Sequence, residues 1–338
     1  MLLRFLILSS ASLLCACNPG KQEVTLGAPS LKALKTTELA ADGKKRLDIL
    51  ADQTGLTSNS IFTQYRKRST SQWNHSWPRR IDFSGVSWSQ KQAGAAITPR
   101  HIVYAAHYPI KINNTITFHD RAGTVHSRKI IKVISFRKRK DDARSDIAIA
   151  LLDKALPSSV KTYRLLPPRT DYEHTLPGAP ALVTEQGRRV FIHQVKRATG
   201  KYISFQKNPD YPESLYKPLI KGDSGNPSFL LVGGEPVLVE THTGGGGGSG
   251  PFYSSPVIFA ALQKAVAELD SSYRIKTVPL DPQIAPAPPT KPAVKTKRIP
   301  SSSSSNTPQV SVSSQKNEPR KPRVRRVPVP PNNTTLSN

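Results

Sequence analysis

From Ile81 onward the chain is a succession of short apolar runs separated by turn residues. The runs are Ala95 to Ala105, Thr115 to Phe118, Lys129 to Phe136, Ile147 to Leu152, Ala181 to Val183, Val190 to Val195, Tyr202 to Phe205, Ser228 to Val232 and Pro236 to Glu240. With Gly, Pro, Asn and Asp between them, they predict the strands of an all-β barrel or sandwich. One segment departs from this pattern. Val257 to Leu269 carries Ile258, Ala261, Leu262, Ala265 and Leu269 at helical spacing and predicts a terminal helix. Pro167 and Pro168 interrupt regular structure between Tyr163 and Tyr172, which divides the strands into two groups.

The flanks read differently. Residues 18–75 are polar and mixed, with a helix expected from about Ser30 to Ala51, where Leu31, Leu34, Leu39, Leu47 and Leu50 give imperfect helical spacing. They are expected to be a tether, partly helical, with a propeptide as the alternative, and they carry no chemistry. Ahead of them, Arg4 and the apolar run Phe5 to Leu14 are too short to span a bilayer and read as a secretory signal over residues 1–17. Its end, Leu14-Cys15-Ala16-Cys17, looks like a bacterial lipobox, which would make Cys17 the lipidated amino terminus and tie the protein to a membrane; an ordinary signal peptide with incidental cysteines is the alternative. Asn18 after that cysteine points to an outer-membrane destination in a Gram-negative cell. Residues 277–338 hold the run Ser301 to Ser305 and the basic cluster Arg320 to Arg326, with too few apolar side chains to offset ordering entropy, so they are expected to be a disordered tail. Residues 76–276 remain as the globular domain.

Charge and cysteine usage refine this picture. Forty-nine basic residues against 23 acidic ones give a net charge of +26, a field that attracts polyanions. Export makes anionic envelope polymers the expected partner and nucleic acid an unlikely one, and the basic tail is either solvated or an attachment to such polymers or to nucleic acid. Both cysteines lie in the leader, so the mature domain can form no internal disulfide. No cluster has zinc-ligand spacing and no Walker or dinucleotide pattern occurs, so no metal and no cofactor are expected.

Three motifs carry candidate chemistry. Ala105-Ala106-His107 closes an apolar strand, Asp146 heads the run Ile147 to Leu152, and Ser224 lies within Gly222-Asp223-Ser224-Gly225-Asn226-Pro227. A serine hydroxyl is a weak nucleophile unless a histidine and a carboxylate complete a proton relay. The order and flanks of these motifs resemble the chymotrypsin-like serine proteases, over roughly residues 80 to 270. The resemblance implies two six-stranded antiparallel β-barrels with a C-terminal helix and a site in the cleft between them. It also implies a serine endopeptidase acting on protein or peptide substrates, with His107 as general base, Asp146 orienting it, Ser224 as nucleophile, and the backbone amides of Gly222 and Ser224 as the oxyanion hole. Asp223 would correspond to the residue that, in the family, pairs with an amino terminus freed by cleavage. No activation sequence precedes residue 95, and Arg79-Arg80-Ile81 is a poor match, so Asp223 is expected to be satisfied within the domain.

The resemblance also suggests a substrate pocket. Pro218 stands where an aspartate would select lysine or arginine, followed by Leu219, so trypsin-like cleavage is not expected. Thr241, His242 and Thr243 fall on the strand that binds substrate in the family, and His242 matches by context the histidine with which bacterial glutamyl endopeptidases bind an acidic side chain. A catalytically silent binding protein on the same fold is the alternative from another class.

Overall fold

The computed structural model describes residues 33–89, 92–137 and 146–281. The leader with Cys17, residues 138–145 and the expected tail from residue 282 lie outside them.

Period-two alternation explains why the strands read as unbroken apolar runs. In β4 (Gln92–Thr98), β5 (His101–Ala105) and β8 (Ile147–Leu152), one set of side chains, including Ala96, Ile102, Tyr104, Ala148, Ala150 and Leu152, fills an inner core. The alternate set, Ala95, Ile97, Val103, Ile147, Ile149 and Leu151, packs into a second core on the other face. Both faces are buried, so no polar alternation survives in the sequence. These strands join β3 (Val86–Ser89), β6 (Thr115–His119) and β7 (Val125–Ser135) in an antiparallel six-stranded sheet of order β3-β4-β5-β8-β7-β6. The sheet curls to bring β3 beside β6.

The second half repeats the arrangement. Strands β9 (Pro180–Glu185), β10 (Arg189–Ala198), β11 (Tyr202–Lys207), β12 (Pro227–Val232), β13 (Glu235–Thr241) and β14 (Ser249–Pro251) form an antiparallel sheet of order β13-β12-β9-β10-β11-β14. Leu182, Val190, Ile192, Phe229, Leu231 and Leu238 point to the core shared with the first sheet, while Ala181, Val183, Val195, Leu230, Val237 and Val239 fill the inside of the second. Helix α2 (Pro256–Leu269) begins with a proline in its first turn and buries Ile258, Leu262, Val266 and Leu269. It packs against β7 and β8, so the chain crosses here from the second sheet back to the first.

The amino-terminal segment departs from the expected tether. Helix α1 (Leu39–Thr54) buries Leu39, Gly43, Leu47 and Leu50 and lies on β12, with Gly43 facing the Leu231 carbonyl. Its Asp42 carboxylate accepts a hydrogen bond from the Gly233 amide at 2.7 Å. Beyond the helix, β1 (Phe62–Gln64) pairs with β2 (Gln72–Trp73), and Phe62 packs on Trp73 at 4.6 Å and on Trp88 at 5.8 Å. The helix looked weakly amphipathic because a glycine takes the place of one apolar contact. Residues 34–75 therefore belong to the folded body, and so do residues 277–281 at the start of the expected tail. Val278 is buried and donates to Leu165, and Leu34 forms a parallel bridge with Leu280.

Candidate active site

Strand pairing brings the first two motif residues together. Strands β5 and β8 are antiparallel, with Ala105 opposite Ile147, so the residues just past the end of one and just before the start of the other meet. Ala106 N–H donates to the Asp146 carbonyl at 3.1 Å, and His107 N–H donates to Asp146 Oδ1 at 2.8 Å. His107 Nδ1 lies 2.8 Å from Asp146 Oδ2, and His107 Nε2 lies 2.8 Å from Ser224 Oγ. An ionised carboxylate can only accept, so Nδ1 carries the ring proton and Nε2 is left as the acceptor for the serine hydroxyl. Both the imidazole and the carboxylate are partly exposed, at 35% and 26%, which leaves the chain of bonds open to a ligand.

The serine itself sits on a loop fixed from two sides. Gly225, at φ +84°, lets that loop press on the first sheet: a Cβ would lie 2.9 Å from the Ala93 carbonyl oxygen. Trp88 Nε1 donates to Asn226 Oδ1 at 3.1 Å, and Gly225 N–H donates to the His242 carbonyl at 2.9 Å. Gly222, at φ +103°, adopts a conformation that disfavours any side chain. Of the five amides from Gly222 to Asn226, those of Asp223, Gly225 and Asn226 bond to Ile220, His242 and Asp223 carbonyls. Those of Gly222 and Ser224 have no acceptor among the described residues.

The buried Asp223 carboxylate accepts the Ile220 amide at 2.8 Å and the Gln186 amide at 3.1 Å. Ile81, the residue that cleavage after Arg80 would free, is fully buried, and its amide donates to Pro78.

Beside Ser224 opens a cavity of about 220 Å³ lined by Leu219, Ile220, Lys221, His242, Thr243, Gly244 and Gly245 among others. Leu219 is buried and bridges Gly246, and its side chain lies against Gly248. Two of the expected pocket residues are elsewhere. Pro218 is exposed and outside the lining, because the chain turns inward only at Leu219. Thr241 is buried and its hydroxyl meets the Tyr253 hydroxyl at 2.6 Å. His242 borders the cavity, but its Nε2 lies 3.0 Å from the Thr184 carbonyl and its Nδ1 2.7 Å from Glu240 Oε1. Both ring nitrogens of His242 therefore face groups of the protein, and the carboxylate beside Nδ1, that of Glu240, is fully buried. Thr243 stays at the rim, its hydroxyl donating to the Ser249 carbonyl at 3.4 Å.

Behind the glycine wall, His193 Nδ1 lies 2.8 Å from the Gly247 carbonyl. Burial lowers its pKa to about 4, so the ring is neutral and donates that bond. The sequence motifs did not point to Trp88, Gln186 or His193. Each reaches the site through strand pairing across the fold, and only Asn226, a buried amide beside the serine, hinted that a donor such as Trp88 was needed. Among the described residues no group of His, Cys, Asp and Glu could hold a metal ion.

Two six-stranded antiparallel sheets, a terminal helix and a serine loop at their junction define a chymotrypsin-like fold. No family model and no curated protein matches the chain. Among solved structures, it is similar to a mutant of human heparin binding protein, with 17% identity and a TM-score of 0.41, over 56% of this chain and 93% of that one.

Proposed function

We propose that this chain is an exported serine endopeptidase. The observation that carries the reading is the continuous chain Asp146–His107–Ser224, with both ring contacts at 2.8 Å, beside two amides without acceptors. Ser224 Oγ attacks the scissile carbonyl while its proton passes to His107 Nε2; the Nδ1 proton stays on the ring, held by Asp146. The carbonyl oxygen takes up negative charge in front of the Gly222 and Ser224 amides, each donor being worth about 3 to 4 kcal/mol. His107 then gives the proton to the leaving amine, and a water molecule, activated the same way, releases the acyl group from Ser224. Asp223 has its hydrogen bonds in the uncut chain, which supports activity without activation cleavage.

The expected result with a fluorophosphonate probe is covalent labelling of the full-length protein that disappears in Ser224→Ala. Folded protein that does not label would sink the reading.

The cavity supports a preference for apolar side chains before the cleaved bond. Leu219, Gly244 and Gly245 bring no charge to it, the one cation of the lining, Lys221, is exposed, and Glu240, buried next to His242, opposes an acidic side chain. Peptides with Phe or Leu at that position should be cleaved faster than those with Glu or Arg, as a comparison of kcat/KM on matched peptides would read; cleavage confined to Arg would contradict it.

Anchoring through Cys17 and placement in the cell envelope belong to the same proposal and rest on the leader sequence alone. The net charge of +26 also supports a second reading, a catalytically silent protein that holds anionic envelope polymers. Ser224-dependent labelling separates the two.

A further inference from the structure

Cutting the chain is one way to order an oxyanion loop; this molecule has another on view. The β9–β10 turn reaches the serine loop at three points. Gln186 N–H donates to Asp223 Oδ1 at 3.1 Å, Gln186 Nε2 donates to the Lys221 carbonyl at 3.2 Å, and the same side chain fills the space a Cβ on Gly222 would need, 2.6 Å from Oε1. Next to it, buried Glu185 accepts two bonds from Arg189 at 3.0 Å and one from Lys217 at 2.7 Å, which ties down the approach to Leu219. One turn therefore holds both the segment with the unpartnered amides and the segment that lines the cavity.

That turn is itself held from outside by the amino-terminal segment. Asn59 accepts from the Val190 amide at 2.9 Å, Ile61 N–H donates to the Arg188 carbonyl at 3.0 Å, and Ser60 bridges Arg189. The Arg188 guanidinium lies 4.3 Å from the centre of the Tyr65 ring, and Arg188 stands at φ +60°, a strained conformation that its neighbours must hold. Tyr65 also secures the other flank: its hydroxyl donates at 2.9 Å to Trp88, whose indole in turn bonds Asn226.

We propose that Asn59–Tyr65 and the Glu185–Arg189 turn together position the Gly222 and Ser224 amides. They would do uncut, and from within one chain, what a newly freed amino terminus does in the family this sequence resembles. The inference rests on the hydrolase reading of Ser224 for its consequence but not for its geometry. Gln186 and Arg188 are positioning residues: neither touches a reacting atom.

The test uses the full-length protein with Gln186→Ala, Arg188→Asn and Arg188→Lys. Asn tolerates the left-handed conformation while removing the cation, and Lys keeps a cation over Tyr65. Two readings are taken: hydrolysis of p-nitrophenyl acetate, and amide hydrogen exchange of residues 217–227. Gln186→Ala and Arg188→Asn should each lower kcat about tenfold with KM little changed, as displaced oxyanion donors would. Exchange at 217–227 should quicken while that of β5 and β8 stays as in the unsubstituted protein, and Arg188→Lys should restore both readings. Unchanged exchange in both variants overturns the proposal, whether or not kcat falls. Quickened exchange in a protein that shows no Ser224-dependent hydrolysis upholds the positioning device and overturns the hydrolase reading instead.

Discussion

Asp146→Asn is expected to lower kcat about ten-thousandfold while leaving the fold intact. The carboxylate accepts from both the backbone N–H and the ring Nδ1 of His107. A carboxamide has one acceptor oxygen, which the backbone amide can keep, and it can offer the ring only an N–H donor. The ring then favours the tautomer protonated at Nε2, facing Ser224 with a donor where the reaction needs an acceptor. Melting curves and circular dichroism should be nearly unchanged, because the carboxylate is partly solvated and its shape is retained. Steady-state kinetics on any ester the protein hydrolyses would check this. A loss under tenfold would mean that Asp146 does not orient the base, and the proposed mechanism would fail with it.

A second large effect is expected on stability in acid. His101 and His193 are fully buried, and burial lowers the pKa of both to about 4. His119 is lowered as well, for the same reason. In the unfolded chain these rings bind protons near pH 6.5, while the folded protein refuses them until about pH 4, so the unfolded state holds more protons across that window and stability falls as pH falls through it. Each of the two lowered to about 4 is then worth about 3 kcal/mol of lost stability by the bottom of the window, and two together approach the whole stability of an ordinary domain. Glu185 adds to the loss at the acid end: burial alone would raise its pKa, but Arg189 and Lys217 hold it below the ordinary value, so its contribution exists above that value and vanishes as pH drops through the folded one. Urea midpoints at about pH 7, 5.5 and 4.5 should decline steadily, and less steeply in His193→Gln. A midpoint that does not move between pH 6.5 and 4.5 would refute the account.

Much of the fold could be read along the chain because its central strands are buried on both faces. Ala95 to Thr98, Ile147 to Leu152 and Ser228 to Val232 stand out as apolar runs for the physical reason that each serves two cores. The run from Ala95 to Ala105 hid a turn at Pro99 and Arg100, since apolar character continues on either side of it. Short strands such as Val86–Ser89 and Ser249–Pro251 leave little pattern to detect. The packing of the expected amino-terminal helix on β12 is hard to read for a related reason: Gly43 stands on its buried face among Leu39, Leu47 and Leu50, and hydrophobicity does not register it.

The site divides along the same line. Flanking residues marked His107, Asp146 and Ser224, and local pairing of β5 with β8 accounts for two of the three meeting. Side-chain direction was not legible. His242 lies next to the cavity in sequence terms, but its ring turns to Thr184 and Glu240, and Pro218 turns outward. Gln186 lies far upstream of the serine loop and reaches Lys221 to Asp223 only because β9 and β12 are neighbours in the second sheet.

Leu34 and Leu280 lie side by side in a parallel bridge, and Asp281 N–H donates to the Leu34 carbonyl at 2.9 Å. Because the two segments run parallel there, the chain enters the folded body at one end of this bridge and leaves it at the other. A pull on either terminal segment is borne by the same few bonds, and it loads them end to end without reaching the serine loop first. For a protein held to a surface at one end, that arrangement would keep mechanical strain away from the cleft.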